Sequence, residues 1–199
     1  MTTFLLLRHG ETDAVGKSIM GWAPGWHLNG NGRRQVEALS ARLAATPIHA
    51  IYTSPLERAV ETAEAVARGR QVEPRRDEEF GEYRMGDWQG WQIVDLDERE
   101  DWRRFNTFRA GTRAPNGELM LETQTRMVRR LQALAAGHPG ETVAVVSHAD
   151  PLRALIAYYL GMPLDFMQRL EISPASVSVL ELSEWNARML CVNERGGVV

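Results

Sequence analysis

Phe4-Leu5-Leu6-Leu7-Arg8-His9-Gly10-Glu11-Thr12 begins as an unbroken apolar run of strand length and ends in a charge, an imidazole and a glycine. An apolar run that stops this abruptly is the pattern of a buried parallel strand reaching a functional edge. Open α/β sheets bind ligands beyond the carboxyl ends of their strands, which is where His9 falls. A neutral imidazole is a competent nucleophile, and an adjacent guanidinium can hold a phosphoryl oxygen by charge-assisted hydrogen bonds. Taken alone, the segment is equally a turn with a surface arginine and a hydrogen-bonded histidine.

Two later segments repeat the arrangement. Ile51-Tyr52-Thr53 reads as a strand running into a helix, with Ser54 expected as N-cap, Pro55 at the first helical position and Glu57 closing a capping box. Arg58 then lies in the first turn, where a long side chain leans back over the strand end. Val143-Ala144-Val145-Val146 is another buried-strand run, followed by Ser147-His148, and Asp150-Pro151 are expected to cap and start a further helix. His148 thus stands beside a helix N-terminus, which favours anions. Three strand ends supply two arginines and two histidines.

Arg8-His9-Gly10-Glu11-Thr12, Ser54-Pro55-Leu56-Glu57-Arg58-Ala59 with Thr62-Ala63, and Val146-Ser147-His148 stand in the order and approximate spacing of the histidine phosphatase, or phosphoglycerate mutase-like, superfamily. The chain resembles that family from Leu5 to about Leu182. A fourth segment, Glu82-Tyr83-Arg84-Met85-Gly86-Asp87-Trp88-Gln89-Gly90, is similar to the one whose first Glu protonates the leaving group. The resemblance implies that His9 attacks phosphorus, that Arg8, Arg58 and His148 hold the transferring oxygens, and that Glu82 is the acid. Thr12 and Ala149 complete the substrate-binding set it implies. The chain also departs from the family pattern, with Val15 where an asparagine is common, His148-Ala149-Asp150 where two glycines usually follow the histidine, and Gly117-Glu118-Leu119 where a serine often ends the triplet.

The resemblance and the alternating apolar segments together predict a three-layer α/β/α sandwich with a mostly parallel sheet and an antiparallel edge strand. At 199 residues and 44% hydrophobic content, one domain over 1–199 can bury an adequate core. Helices are expected after Asn29, with Val36, Leu39 and Leu43 on one side, and over a long span carrying Leu121, Val128, Leu131 and Leu134. Val72 to Pro74, Val177 to Leu182 and Met189 to Val192 read as strands. Residues 77–117 break the alternation, interleaving charges with Trp88, Trp91, Trp102, Phe105 and Phe108, and read as a lid-like excursion beside the strand ends.

Other chemistries find little support. Gly16-Lys17-Ser18 looks like the end of a P-loop, but the first glycine of that pattern would fall at Glu11. The five histidines show no paired metal-ligand spacing, and one cysteine, Cys191, excludes an intramolecular disulfide framework. No metal or cofactor is expected. A net charge of −3 argues against a general nucleic-acid surface, and no segment is long enough to span a membrane, so a cytoplasmic protein is expected. A homodimer is compatible with these features. The function expected is hydrolysis of a small phosphorylated metabolite, in the manner of alpha-ribazole and broad-specificity phosphatases. The alternatives are a 2,3-bisphosphoglycerate-dependent mutase and a non-catalytic module of the same fold.

Overall fold

The computed structural model describes residues 1–196; the last three residues of the domain expected over 1–199 lie outside the described residues. Six strands form one sheet: β1 (Thr2–Arg8), β2 (Ala50–Thr53), β3 (Pro74–Arg76), β4 (Thr142–Ser147), β5 (Val177–Leu182) and β6 (Ala187–Glu194), in the spatial order β3-β2-β4-β1-β5-β6. The first four are mutually parallel, and β5 runs antiparallel to both β1 and β6. The antiparallel part of the sheet therefore lies at one edge, as a hairpin.

Alternation along the strands distributes the core between two faces. Leu5 and Leu7 of β1 point to one side with Ile51, Ala144 and Val146, where they pack against Val36 and Leu39 of α1 (Gly30–Arg42) and Ala63 and Val66 of α2 (Glu57–Ala67). Phe4 and Leu6 point to the other, with Tyr52, Val143, Val145 and Leu180. There they meet Met127 and Leu131 of the long helix (Met120–Gly137) and Leu152 and Leu155 of the helix that follows β4 (Ala149–Tyr159). These are the three layers expected. Fully burying a single leucine contributes about 2 kcal/mol, so the two faces together dominate the stability of the molecule.

The excursion has its own small core. Two one-turn 3-10 segments, Glu78–Phe80 and Gly86–Trp88, and two short helices, α3 (Ile93–Asp97) and α4 (Glu100–Thr107), precede the long helix α5 and the helix α6 whose ranges are given above. Trp88 lies 5.1 Å from Trp102 and 5.0 Å from Phe105, ring centre to ring centre, and the cluster is closed by Tyr83, Leu96 and Met120 and by Ala154 and Ala157 of α6. Trp91 and Phe108 take no part and remain exposed.

Several local expectations are corrected. α2 starts at Glu57 with Leu56 as N-cap, because Ser54 is held elsewhere, as described below. Asp150 does not cap α6, which begins one residue before it; its carboxylate is turned to arginines instead. β3 lies two residues later than expected, set by pairing of Pro74 to Arg76 with Ile51 to Thr53. Leu121 in α5 faces solvent. Asn29 does cap α1, its side chain accepting from Gly32 N–H at 2.7 Å.

Candidate active site

Backbone pairing places the three strand ends side by side. His9 N–H donates to the Ser147 carbonyl at 3.0 Å, continuing β1 against β4, and Ser54 N–H donates to the Val146 carbonyl at 2.9 Å, continuing β2. The turn after His9 is pressed against α1. A Cβ at Gly10 would lie 2.8 Å from the Gly32 carbonyl and from Val36 Cγ1, so only glycine fits between the turn and the helix. Beneath it, Gly10 N–H donates to Thr62 Oγ1 on α2.

His9 is 1% exposed, and its Nδ1 lies 2.7 Å from the Gly10 carbonyl. A carbonyl can only accept, so Nδ1 carries the proton and Nε2 keeps a free lone pair. Burial, then the Arg58 and Arg8 guanidinium groups, hold its pKa well below the ordinary histidine value, which keeps the ring neutral. His148 lies edge-on to it with ring centres 5.0 Å apart. Ser54 Oγ accepts from Leu56 N–H and lies within hydrogen-bond distance of His148 Nε2, at 2.7 Å. His148 Nδ1 has no hydrogen-bond partner and lies 3.7 Å from Glu82 Oε2. Burial, then Arg58, depresses its pKa as well.

The arginines are anchored by one nitrogen each. Arg58, fully buried in the first turn of α2, donates from Nη2 to the Gly21 carbonyl at 3.0 Å, and Arg8 donates from Nη1 to the Ile172 carbonyl at 2.6 Å. Arg58 Nε and Nη1 and Arg8 Nε find no partner in the protein. A buried donor left unpaired costs about 1–3 kcal/mol, more when charged, so a site that collects three guanidinium donors is suited to an anion.

Glu82 follows the first 3-10 turn of the excursion and is 15% exposed at its side chain. Its backbone carbonyl accepts from Trp22 Nε1, and its Oε1 accepts from Tyr83 N–H at 2.9 Å. Burial pushes its pKa up to about 7; Arg58 opposes this, Asp150 adds to it, and Tyr83 N–H and Arg8 oppose it further. A carboxyl poised there can give a proton and take one back near neutral pH.

The cavity between these groups has a volume of about 190 Å3 and is bounded by Arg8, His9, Glu82, Ala149 and Asp150, by the loop from Ala14 to Gly21, and by Met85 and Ile93 of the excursion. Five of the residues expected at the site therefore meet in one place: Arg8, His9, Arg58, Glu82 and His148, with Ala149 at the start of α6 beside them. Thr12 does not line the cavity itself; its buried hydroxyl donates to Sδ of Met20, which does, at 3.3 Å. The sequence reading missed Ser54 as the partner of His148, and the Ser-Pro step after a strand suggested only a cap. It also expected Asp150 as a cap; Arg109 and Arg153 instead bind its two oxygens at 2.8 and 3.3 Å. A wider groove of about 370 Å3 lies on the far side of Trp22, but Glu57, Glu61 and Glu64 line it and would repel phosphate. Among the described residues no cluster of His, Cys, Asp or Glu could hold a metal ion, and no helix is long and apolar enough to cross a membrane.

Comparison with known proteins agrees with this geometry. The model of the histidine phosphatase superfamily (branch 1) matches residues 4–195. The chain is similar to "Bifunctional protein Rv2228c" of Mycobacterium tuberculosis, 32% identical over 98% of the chain and 54% of that protein. It thus spans about half the length of the mycobacterial relatives it matches. It is 31% identical to the adenosylcobalamin/alpha-ribazole phosphatase of Salmonella typhimurium, over 96% of the chain and 95% of that protein. Among solved structures, Bacillus stearothermophilus YhfR superposes with a TM-score of 0.91 at 31% identity, covering 98% of both chains.

Proposed function

Because the chain belongs to the histidine phosphatase superfamily, we propose that it is a metal-independent phosphomonoesterase that hydrolyses a small phosphorylated metabolite through a phosphohistidine on His9. The observation that carries this reading is the meeting of three partnerless buried guanidinium donors, on Arg8 and Arg58, and the unpartnered His148 Nδ1 beside an imidazole whose Nε2 lone pair is free.

In the first step His9 Nε2 attacks phosphorus in line, forming the N–P bond as the bond to the ester oxygen breaks. Glu82 gives its proton to that departing oxygen, which leaves as an alcohol. In the second step Glu82, now a carboxylate, takes a proton from water as the water oxygen attacks phosphorus. The N–P bond breaks, inorganic phosphate leaves, and His9 returns neutral with Glu82 protonated. Arg8, Arg58, His148 Nδ1–H and the first amides of α6 stabilise the equatorial oxygens in both steps. These positive groups supply the charge compensation that magnesium supplies in other phosphoryl transfers.

The test is chemical. Brief incubation with a labelled phosphomonoester in excess chelator is expected to give a protein phosphate stable to base and lost in acid, and His9→Ala is expected to give none. A base-labile adduct, labelling that persists in His9→Ala, or labelling abolished by the chelator and restored by one divalent ion contradicts the proposal.

A further inference from the structure

We propose that the leaving group of the substrate carries no negative charge, because the wall it rests against offers no free cation: Val15, Ser18, Ile19, Met20, Met85 and Ile93, with Asp150, whose carboxylate is already paired with Arg109 and Arg153. This rests on the phosphatase reading above and narrows its substrate class.

The ester oxygen has to lie next to Glu82, which protonates it, and the transferring phosphoryl group has to lie at the arginines and histidines. In a cavity of about 190 Å3 the first atoms of the leaving group then have only the loop after β1, the excursion and the start of α6 to touch. Arg8 is the only cation in that lining, and it is committed to the Ile172 carbonyl and to the phosphoryl end. Arg109 and Arg153 stand behind Asp150 and are already engaged. Arg109 donates to Asp150 and to Asn106 Oδ1, while Arg153 donates to Asp150 and to the Leu170 carbonyl and lies 3.6 Å from Glu171. Lys17, in the same loop as Val15, is exposed and outside the lining.

A carboxylate or second phosphate on the leaving group would thus meet aliphatic side chains, the Ser18 hydroxyl, the arginine-paired Asp150 and, once its proton has moved, the Glu82 carboxylate. Desolvating an anion against such a wall, with no free cation to pair it, is unfavourable. An alkyl or hydroxyl-bearing leaving group gains contact with Val15, Ile19 and Met85, and a hydroxyl can donate to Asp150. The selectivity is exercised by repulsion as much as by attraction.

The experiment compares kcat/KM of the whole protein for propyl phosphate and glycerol phosphate with that for 3-phosphoglycerate. The uncharged leaving groups are expected to be preferred by about tenfold or more. Val15 is partly exposed on a loop, so Val15→Arg can place a cation on the wall without burying a new charge. It is expected to raise 3-phosphoglycerate relative to propyl phosphate by about tenfold, and Asp150→Asn is expected to move the ratio in the same direction. Wild-type protein that turns over 3-phosphoglycerate as well as propyl phosphate overturns the proposal, as does a ratio unmoved in both variants. Failure of the phosphatase reading looks different: p-nitrophenyl phosphate would then show no His9-dependent turnover, whatever the preference among esters.

Discussion

In the proposed mechanism Glu82 has two opposite tasks, and its environment suits both. A carboxyl with a pKa near 7 retains a proton at pH 6 and yields it readily, and its conjugate base is strong enough to assist water. Glu82→Gln is therefore expected to slow alkyl phosphates roughly 100-fold or more, and p-nitrophenyl phosphate much less in the phosphorylation step, since that leaving group hardly needs a proton. The sign with pH follows from the raised value: Glu82 is protonated below about 7, so phosphorylation by an alkyl phosphate falls as pH rises above it. This alkaline limb is expected to be absent with p-nitrophenyl phosphate; equal loss with both esters assigns the proton to another group. Stability gives a second measurement. A carboxyl that holds its proton more tightly folded than unfolded costs stability once the pH exceeds the ordinary value, and the full cost is present above about 7. Glu82→Gln is expected to raise Tm at pH 8 and to leave it unchanged at pH 4. At this scale Arg8, His9, Arg58 and His148 were legible because each stands one to five residues after a strand-like run. Ser54 and Asp150 were not, because their partners, His148 and Arg109, lie far off in the chain and are set by tertiary packing.

Elements show the same division. β1 and β4 could be read to within two residues, since a buried strand is written as a continuous apolar run, and β5 could be bounded although Ser178 and Glu181 interrupt its apolar residues. The excursion could be recognised only as a break in the alternation. Its 3-10 turns and two short helices have no period long enough to announce them, and Trp88, Trp102 and Phe105 are distinguished from Trp91 and Phe108 only by what the fold brings over them. One glycine there is decisive. Gly86, at φ +54°, stands between Met85 on the cavity wall and Trp88 in the aromatic cluster, and a Cβ would fall 1.9 Å from the Pro115 carbonyl. Gly86→Ala is expected to destabilise the protein by about 2–4 kcal/mol, read in denaturant, and to lower kcat/KM together with it. A variant as stable and active as the parent would mean that the 114–117 turn yields without moving the wall.

At the level of the whole molecule, the distribution of charge separates hydrolysis from isomerisation. A mutase must shelter its phosphohistidine from water while the intermediate turns round, gripping a carboxylate and a second phosphate meanwhile. The arginines of the excursion do not supply that grip. Arg109 is bound to Asp150, Arg113 to Glu122 and Arg99 to Asp101, Arg84 lies over the Trp22 ring, and Arg84, Arg103 and Arg104 all stand outside the cavity lining. With 3-phosphoglycerate and catalytic 2,3-bisphosphoglycerate, release of inorganic phosphate is expected to equal or exceed formation of 2-phosphoglycerate; isomerisation many times faster than release would assign the chain to the mutases.

The position of β1 also bears on how the protein is made. The strand that carries Arg8 and leads to His9 is translated well over a hundred residues before both neighbours it pairs with, β4 and β5. Synthesis of that much chain takes on the order of ten seconds or more, through which Phe4 to Leu7 have no sheet to join. Closing so long a loop makes β1 insertion a late, entropically costly event. Nascent chains that stall before Val143 would expose the apolar run Phe4 to Leu7 with neither of its native sheet neighbours made.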